Sequence, residues 1–412
     1  MNNKYIFHID FDSYFVSAIR TIKPHLKNKP VAIARSEKHS VAVSISYELK
    51  SLGAKTGSKV YEILAIEPKT IIEKPYFRLY QYLSNKIFKF LKANFASKIE
   101  VGSIDECYII PKIDLENKEK AINYARNIQK TILNKFDIPI TIGISVNKFY
   151  AKMTTNISKP FGIGYTDKEN YKDNFFDLDI EKFHGIGSKI ANKLRQINIL
   201  TIGDLAKKEK NDFELLQVFK TTAYKYLDSL DINKNVDFNL EPEQNKGMGN
   251  EITFEFQYDE IEILDKVKNI AFNLSQRLKK DFLIAQNISL VARNYDKKWK
   301  AYNKNISPTD DANEIYKHSK KLIDKNVALN NIKGIGIRVS KLVDKDSIYE
   351  YHSLLDNPKQ INNQNEKIES IIEQVNRKTK STNVFRLSEL NKKEKLKFNH
   401  EVDLITHSIF KK

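Results

Sequence analysis

Cysteine is almost missing from this chain. Cys107 is the single one in 412 residues, which excludes an internal disulfide and any zinc site built on cysteine pairs. It sits beside Glu106 in an apolar run, so it reads as a buried structural thiol rather than a nucleophile. Long hydrophobic stretches are missing too. No run approaches the roughly 18 apolar residues that span a bilayer, and Asp10 and Asp12 interrupt the N-terminal apolar stretch where a secretory segment would be continuous. The expectation is a soluble, cytoplasmic protein with no membrane partner.

What is present suits folded domains. Apolar residues make up 41% and aromatics 11%, too much for a chain that stays disordered. The length predicts two to four domains rather than one core. Basic residues number 69 against 52 acidic, a net charge of +17. That excess favours a polyanionic partner and salt-sensitive binding, although a Lys-rich composition alone does not require one.

Two acid clusters carry most of the information. Asp10-Phe11-Asp12 ends the run Tyr5–Ile9, and Asp105-Glu106 lies within Glu100–Ile110. Both look like strand segments with acids at one end. A lone Asp at a strand end is ordinarily a solvated turn residue. Two such clusters on neighbouring strands, however, would crowd carboxylates at a cost of several kcal/mol, or force proton uptake. Divalent cations are the usual remedy, and hard oxygen donors suit Mg²⁺. Two ions about 4 Å apart form the clamp used in nucleotidyl transfer.

Along the chain, residues 1 to about 170 alternate strand and helix. Tyr5–Ile9, Val31–Ala34, Val41–Ile45 and Ile138–Ile144 read as strands; Tyr80–Ala93 and Ala121–Leu133 carry helical spacing. The pattern predicts an α+β sheet with helices on one face. Residues 171–240 turn helical and Lys-rich. There Gly185-Ile186-Gly187 precedes a helix bearing Ile190, Leu194 and Ile197; it suits either a phosphate-approaching helix start or a plain connector. Asn233–Gly249 reads as an exposed linker. Residues 246 to about 345 look like a second α+β domain, with strands at Glu251–Phe256, Ile288–Arg293 and Gly336–Ser340 and a helix at Val267–Leu278. Its 19 basic against 13 acidic residues suit a sheet face laid along a nucleic-acid backbone, or a solvated face such as Lys297-Lys298.

These residues, taken in order, resemble the Y-family (DinB/UmuC/ImpB-type) translesion DNA polymerases from about residue 5 to 345. His8-Ile9-Asp10-Phe11-Asp12-Ser13-Tyr14-Phe15 resembles the family's Asp-x-Asp-x-aromatic-aromatic signature, and Ser46-Tyr47-Glu48 its Asn-Tyr-Glu-Ala-Arg element. Ser103-Ile104-Asp105-Glu106-Cys107-Tyr108 is similar to its catalytic hairpin. Gly143-Ile144-Ser145-Val146-Asn147-Lys148, then Lys152 and Lys159-Pro160-Phe161-Gly162, follow its next block. Gly185-Ile186-Gly187 and Lys246–Phe254 fall where the family has its helix–hairpin–helix and first little-finger strand.

The resemblance implies a multi-domain α+β right hand: palm at 1–19 and 76–170, fingers at 20–75, thumb at 171–240, little finger at 241–345, and a flexible tail at 346–412. It implies that Asp10, Asp105 and Glu106 hold two Mg²⁺ ions together with the Phe11 carbonyl, while Asp12 is structural, capping a nearby helix start. Ser44, Tyr47, Lys50 and Lys159 fall where the family contacts the triphosphate, and hydroxyls and ammonium groups can donate to its oxygens. Phe15 falls at the steric gate, where a ring under the sugar leaves no room for a 2′-hydroxyl. Gly185, Gly187, Lys189, Lys246, Arg293 and Arg338 are the implied DNA contacts. The implied partners are primer–template DNA, deoxynucleoside triphosphates and a sliding clamp, with the chain a monomer.

Departures are visible as well. Ile19 stands where the family commonly has Glu, Lys50 replaces an Arg and so lacks its bidentate fork, and Gly247-Met248 replaces Ser-Ile. The tail segment Tyr351-His352-Ser353-Leu354-Leu355-Asp356 sits where a clamp peptide would, but lacks its Gln and Phe; Leu354 and Leu355 would be the anchor pair. No segment reads as an exonuclease, so proofreading is not expected. Two other readings stay open on residues alone: a palm-like nucleotidyl cyclase, which also pairs strand-end acids, and a DNA-binding protein without catalysis.

Overall fold

The computed structural model describes residues 5–35, 40–234, 246–254, 257–295 and 298–345. The chain separates into two units, Met1–Pro242 and Glu243–Lys412.

The first unit opens with β1 (Ile6–Phe11) and α1 (Tyr14–Ile22). A small three-stranded sheet follows, made of β2 (Val31–Ile33), β3 (Ser44–Ile45) and β4 (Ile71–Glu73), with α2 (Tyr47–Ser51) and α3 (Val60–Ile66) between β3 and β4. Its core is made of short side chains such as Ala32, Ala42, Ile45 and Val60. Only Ser44 and Ile45 of the expected Val41–Ile45 strand pair regularly, because Val41 forms an isolated bridge to Lys59 instead.

The chain then returns through α4 (Phe77–Asn94), β5 (Ala96–Val101), β6 (Glu106–Pro111), α5 (Lys118–Phe136), β7 (Ile140–Ser145), α6 (Lys148–Ser158) and β8 (Ile163–Tyr165). The large sheet has the order β5-β6-β1-β7-β8. β1 lies at its centre, antiparallel to both β6 and β7.

Helices cover both faces of this sheet, not one. Side chains alternate along a strand: Phe7 and Phe11 meet Tyr124 of α5 and Phe88 of α4, whereas His8 meets Thr155 of α6. The reason lies in β1 and β7 themselves. All six residues of each are buried, and a strand with no exposed face has to be sandwiched. α6 lies very close to β7 at Gly143. A Cβ there would collide with the Ala151 carbonyl and with Thr155.

Short helices complete the unit: α7 (Tyr171–Phe175), α8 (Ser188–Gln196), α9 (Ile202–Ala206), α10 (Phe213–Phe219) and α11 (Ala223–Ser229). They enclose Phe183, Leu194, Leu205, Leu215 and Phe219. Tyr150 of α6 donates its hydroxyl to the Leu230 carbonyl at 2.8 Å, tying this cluster to the large sheet's helices.

The second unit contains β9 (Gly247–Thr253), α12 (Glu260–Lys280), β10 (Leu283–Asn294), β11 (Lys300–Thr309), α13 (Ala312–Asn326) and β12 (Ile332–Asp344). The sheet order is β11-β10-β12-β9. Ile263, Leu274, Ile288, Leu290, Ile337 and Val339 form its core with the helices. β9 begins earlier than the alternation suggests: Gly247–Gly249, expected within a linker, already pairs with Val339 and its neighbours. Met248, the departure noted above, is a core residue, 7% exposed. The described strand runs to Thr253, and Glu255 and Phe256 of the expected strand lie outside the described residues. No helix among the described residues is long and apolar enough to cross a membrane.

Candidate active site

β1 ends beside the turn that leads into β6, and this brings the acids together. Asp10 pairs directly with Glu106 across the two strands. The next amide, of Phe11, donates to the Asp105 carbonyl at 2.8 Å. Asp10 is 6% exposed. Burial first, and then the charge of Asp105, push its carboxyl up to about 6, against the pull of Lys159. Burial and the adjacent Glu106 raise Asp105 too, although the Ser103 hydroxyl bonds to it.

Two lysines supply the countercharge. Lys159 lies 2.6 Å from Asp10 Oδ1, and Lys152 pairs with Glu106 Oε2. Burial of Glu106 works to raise its pKa. The His8 ring beside it, together with the hydrogen bond and charge of Lys152, outweighs that and holds the carboxyl well below the usual range. His8 is fully buried, with Nδ1 2.9 Å from Thr155 Oγ1 and Nε2 3.7 Å from Glu106. Burial lowers the ring to about 4. It is therefore neutral near pH 7, and Lys152 is the counter-ion of Glu106.

Each carboxylate thus faces its own partner. Among the described residues, no three His, Cys, Asp or Glu side chains are gathered closely enough to hold a metal ion as they stand. The donor set nevertheless suits a hard divalent cation: three carboxylates at one end of a strand pair, two of them raised by burial and by the charge of a neighbouring carboxylate.

Three of the expected triphosphate contacts, Tyr47, Lys50 and Lys159, lie near Asp10 and Asp12. Lys50 lies 4.1 Å over the Tyr47 ring and donates to Ser13 Oγ at 2.9 Å. Shielding of its ammonium end and the charge of Lys159 lower the Lys50 pKa. Two ammonium groups that repel each other mark a place where an anion is favoured. Ser44 is buried on β3 opposite Ile33. The Tyr47 hydroxyl donates to Asp12 Oδ1 at 3.0 Å, so its proton is already engaged. Asp12 caps no helix. The cap of α1 is Ser13, whose side chain makes no capping bond to the helix.

Phe15 is half-buried and stacked on Tyr80, with centroids 4.2 Å apart and planes 7° apart. Phe77 meets it edge-on at 5.7 Å. Tyr80 is fully buried, so the Phe15 ring is backed by core. Ile19 is 3% exposed on α1 and simply packs.

Gly185 has φ +100°, which only glycine adopts freely. Gly187 caps α8, and Lys189 is exposed in its first turn. In the second unit, Lys246 is exposed at the start of β9. Arg338 bonds Glu251 at 2.8 Å. Arg293 and Arg338 alternate with the core-facing residues of β10 and β12, so both belong to the sheet face without helices. Leu354 and Leu355 lie outside the described residues. The residue reading missed His8 as a partner of Glu106, Tyr80 as the support of Phe15, and the counter-ion role of Lys152. Only Lys152 had a signal, one helical turn after the Asn147-Lys148 helix start.

Comparison with known proteins gives the family of the chain. The model of the impB/mucB/samB family matches residues 9–156, and that of its C-terminal domain residues 245–350. The chain is 30% identical to DNA polymerase IV 1 of Bacillus subtilis over 404 residues, covering 96% of this chain and 95% of that protein. It is 30% identical to DNA polymerase IV of Bacillus velezensis over 355 residues, 84% of each. Among solved structures, a Y-family DNA polymerase chimera of Dbh and Dpo4 superposes with TM-score 0.72 at 26% identity, over 82% of this chain and 99% of that one. DinB from Sulfolobus solfataricus gives TM-score 0.55 at the same identity and coverage. With acids, cation cluster and stacked ring in place, the chain belongs to the impB/mucB/samB family of DinB-type Y-family DNA polymerases.

Proposed function

We propose that this DNA-directed DNA polymerase is a low-fidelity, template-directed enzyme that extends primers past damaged bases by two-metal nucleotidyl transfer, without proofreading. One observation carries the reading: Asp10 and Glu106 face each other across β1 and β6, with Asp105 adjacent and the Lys50–Lys159 pair alongside. Domain roles follow the family: residues 1–19 and 76–170 as palm, 20–75 as fingers, 171–240 as thumb, 241–345 as little finger. Family neighbours include an insertion ternary complex of Dbh DNA polymerase. Primer–template DNA and deoxynucleoside triphosphates are accordingly the partners.

Asp10, Asp105, Glu106 and the Phe11 carbonyl would hold two Mg²⁺ ions. When bound, these supply activation of the primer hydroxyl and neutralise charge on the triphosphate. Lys50 and Lys159 offer ammonium donors to the phosphates. Ser44 and Tyr47 border the same place. The Phe15 ring excludes a 2′-hydroxyl because Tyr80 leaves it nowhere to retreat. Gly185, Gly187, Lys189, Lys246, Arg293 and Arg338 contact the DNA backbone. Leu354 and Leu355 serve as a clamp anchor, and the chain works as a monomer.

Primer extension on undamaged and abasic templates, each deoxynucleotide supplied singly, tests the reading. Insertion opposite both templates, with a mispaired primer terminus left uncut when nucleotides are withheld, is the expected result. Absence of insertion, or trimming of the mispair, would refute the corresponding part.

A further inference from the structure

Asp12 is the acid of the opening cluster that metal binding leaves without a task. It is 2% exposed, and donors from three separate segments converge on its carboxylate. Thr141 of β7 donates its hydroxyl, with Oγ1 2.9 Å from both oxygens. Tyr47 of α2 reaches Oδ1 at 3.0 Å, and the Phe161 amide reaches Oδ2 at 2.9 Å. The acceptor positions are filled by hydrogen bonds, and no ion pair involves this group among the described residues.

What these donors carry matters. Tyr47 is the ring that Lys50 lies over, 4.1 Å from its centroid. Phe161 is two residues beyond Lys159, which reaches Asp10 at 2.6 Å. One buried carboxylate, two residues along from Asp10, therefore fixes both supports on which the paired cations stand. Those cations repel each other. Without an anchor under each, they would move apart.

We propose that Asp12 is a positioning residue for the incoming triphosphate, acting through Tyr47 and the Lys159–Phe161 turn and holding no metal. This rests on the polymerase reading above. Fixing two donors beforehand removes an ordering cost that nucleotide binding would otherwise bear.

Asp12→Asn in the full chain tests it, since it keeps size while placing an NH₂ against one of the incoming donors. In steady-state single-nucleotide insertion, KM for the deoxynucleotide should rise about tenfold or more while kcat changes less than about threefold. Primer–template affinity and the Mg²⁺ needed for half-maximal rate should stay as in wild type. Tyr47→Phe should also raise KM, and the double variant should be no worse than the more severe single one, because both break one link. A raised Mg²⁺ requirement would overturn the proposal by making Asp12 a metal ligand. A lower Tm with unchanged KM would overturn it by making the residue merely structural, and so would additive effects. Should Asp12→Asn not fold, Thr141→Val removes one donor at nearly constant volume, and an unchanged KM there would be equally fatal. An inactive wild type would refute the polymerase reading itself; an active wild type with an indifferent Asp12→Asn would refute this inference alone.

Discussion

Asp10 shows how a single buried carboxyl couples charge, pH and cation binding. Its pKa is pushed up to about 6. Between roughly pH 4 and 6 the folded chain holds a proton that the unfolded chain has released, so stability falls as the pH rises through that window. A divalent cation offsets this buried charge only once the proton has left. Mg²⁺ should therefore raise Tm near pH 7.5 and have little effect near pH 5, read by thermal melts at both values; an equal shift at both would contradict this. Phe15→Ala should remove the barrier to a 2′-hydroxyl and narrow the preference for deoxynucleotides by about a hundredfold or more in single insertions. Unchanged sugar discrimination would show that another group acts as the gate. Cys107 is fully buried, and burial raises its thiol far above the ordinary range. It should resist a thiol reagent in the folded protein and react at once in denaturant. Asp10 and Cys107 were legible early because each is defined by type and neighbours, acids at a strand end and a thiol in an apolar run, whereas Phe15 was singled out only through the family resemblance. The Asp12 network was not legible, because Thr141 and Phe161 lie 129 and 149 residues away in sequence.

At the scale of elements, the close seat of α6 on β7 is a tight constraint in the first unit. Gly143→Ala would force α6, which bears Lys152 and is followed by its C-cap Lys159, away from β7 and β1. A loss of about 1–3 kcal/mol is expected in urea unfolding, as for other overpacked interiors, with insertion activity falling alongside. A variant as stable and active as wild type would mean that the contact relaxes without cost. Apolar periodicity located α4, α5, α12, β1, β7, β10 and β12. It did not reveal β11, whose ten residues are largely polar and half or fully exposed at a sheet edge. α13 was missed although Asp311 caps it and Ile315, Ser319, Leu322 and Ile323 recur at helical spacing; there the signal existed. The one-face arrangement failed because the pattern of β1 shows burial on both sides only when its six residues are counted together.

For the whole molecule, the +17 charge sets how binding depends on salt. Primer–template affinity should drop by about three orders of magnitude or more between 50 and 200 mM salt if six or more phosphates are contacted; a flat response would argue against backbone contacts by Lys189, Lys246, Arg293 and Arg338. Deleting residues 346–412 should spare distributive synthesis and abolish stimulation by a sliding clamp, whereas equal stimulation of both forms would exclude Leu354 and Leu355 as anchors. The most direct measurement compares wild type with Asp105→Ala in extension of a primed template over a range of Mg²⁺. A loss of about a thousandfold or more that added Mg²⁺ does not restore is the predicted result. Extension by Asp105→Ala at the wild-type rate would contradict the assignment of these acids as the catalytic centre.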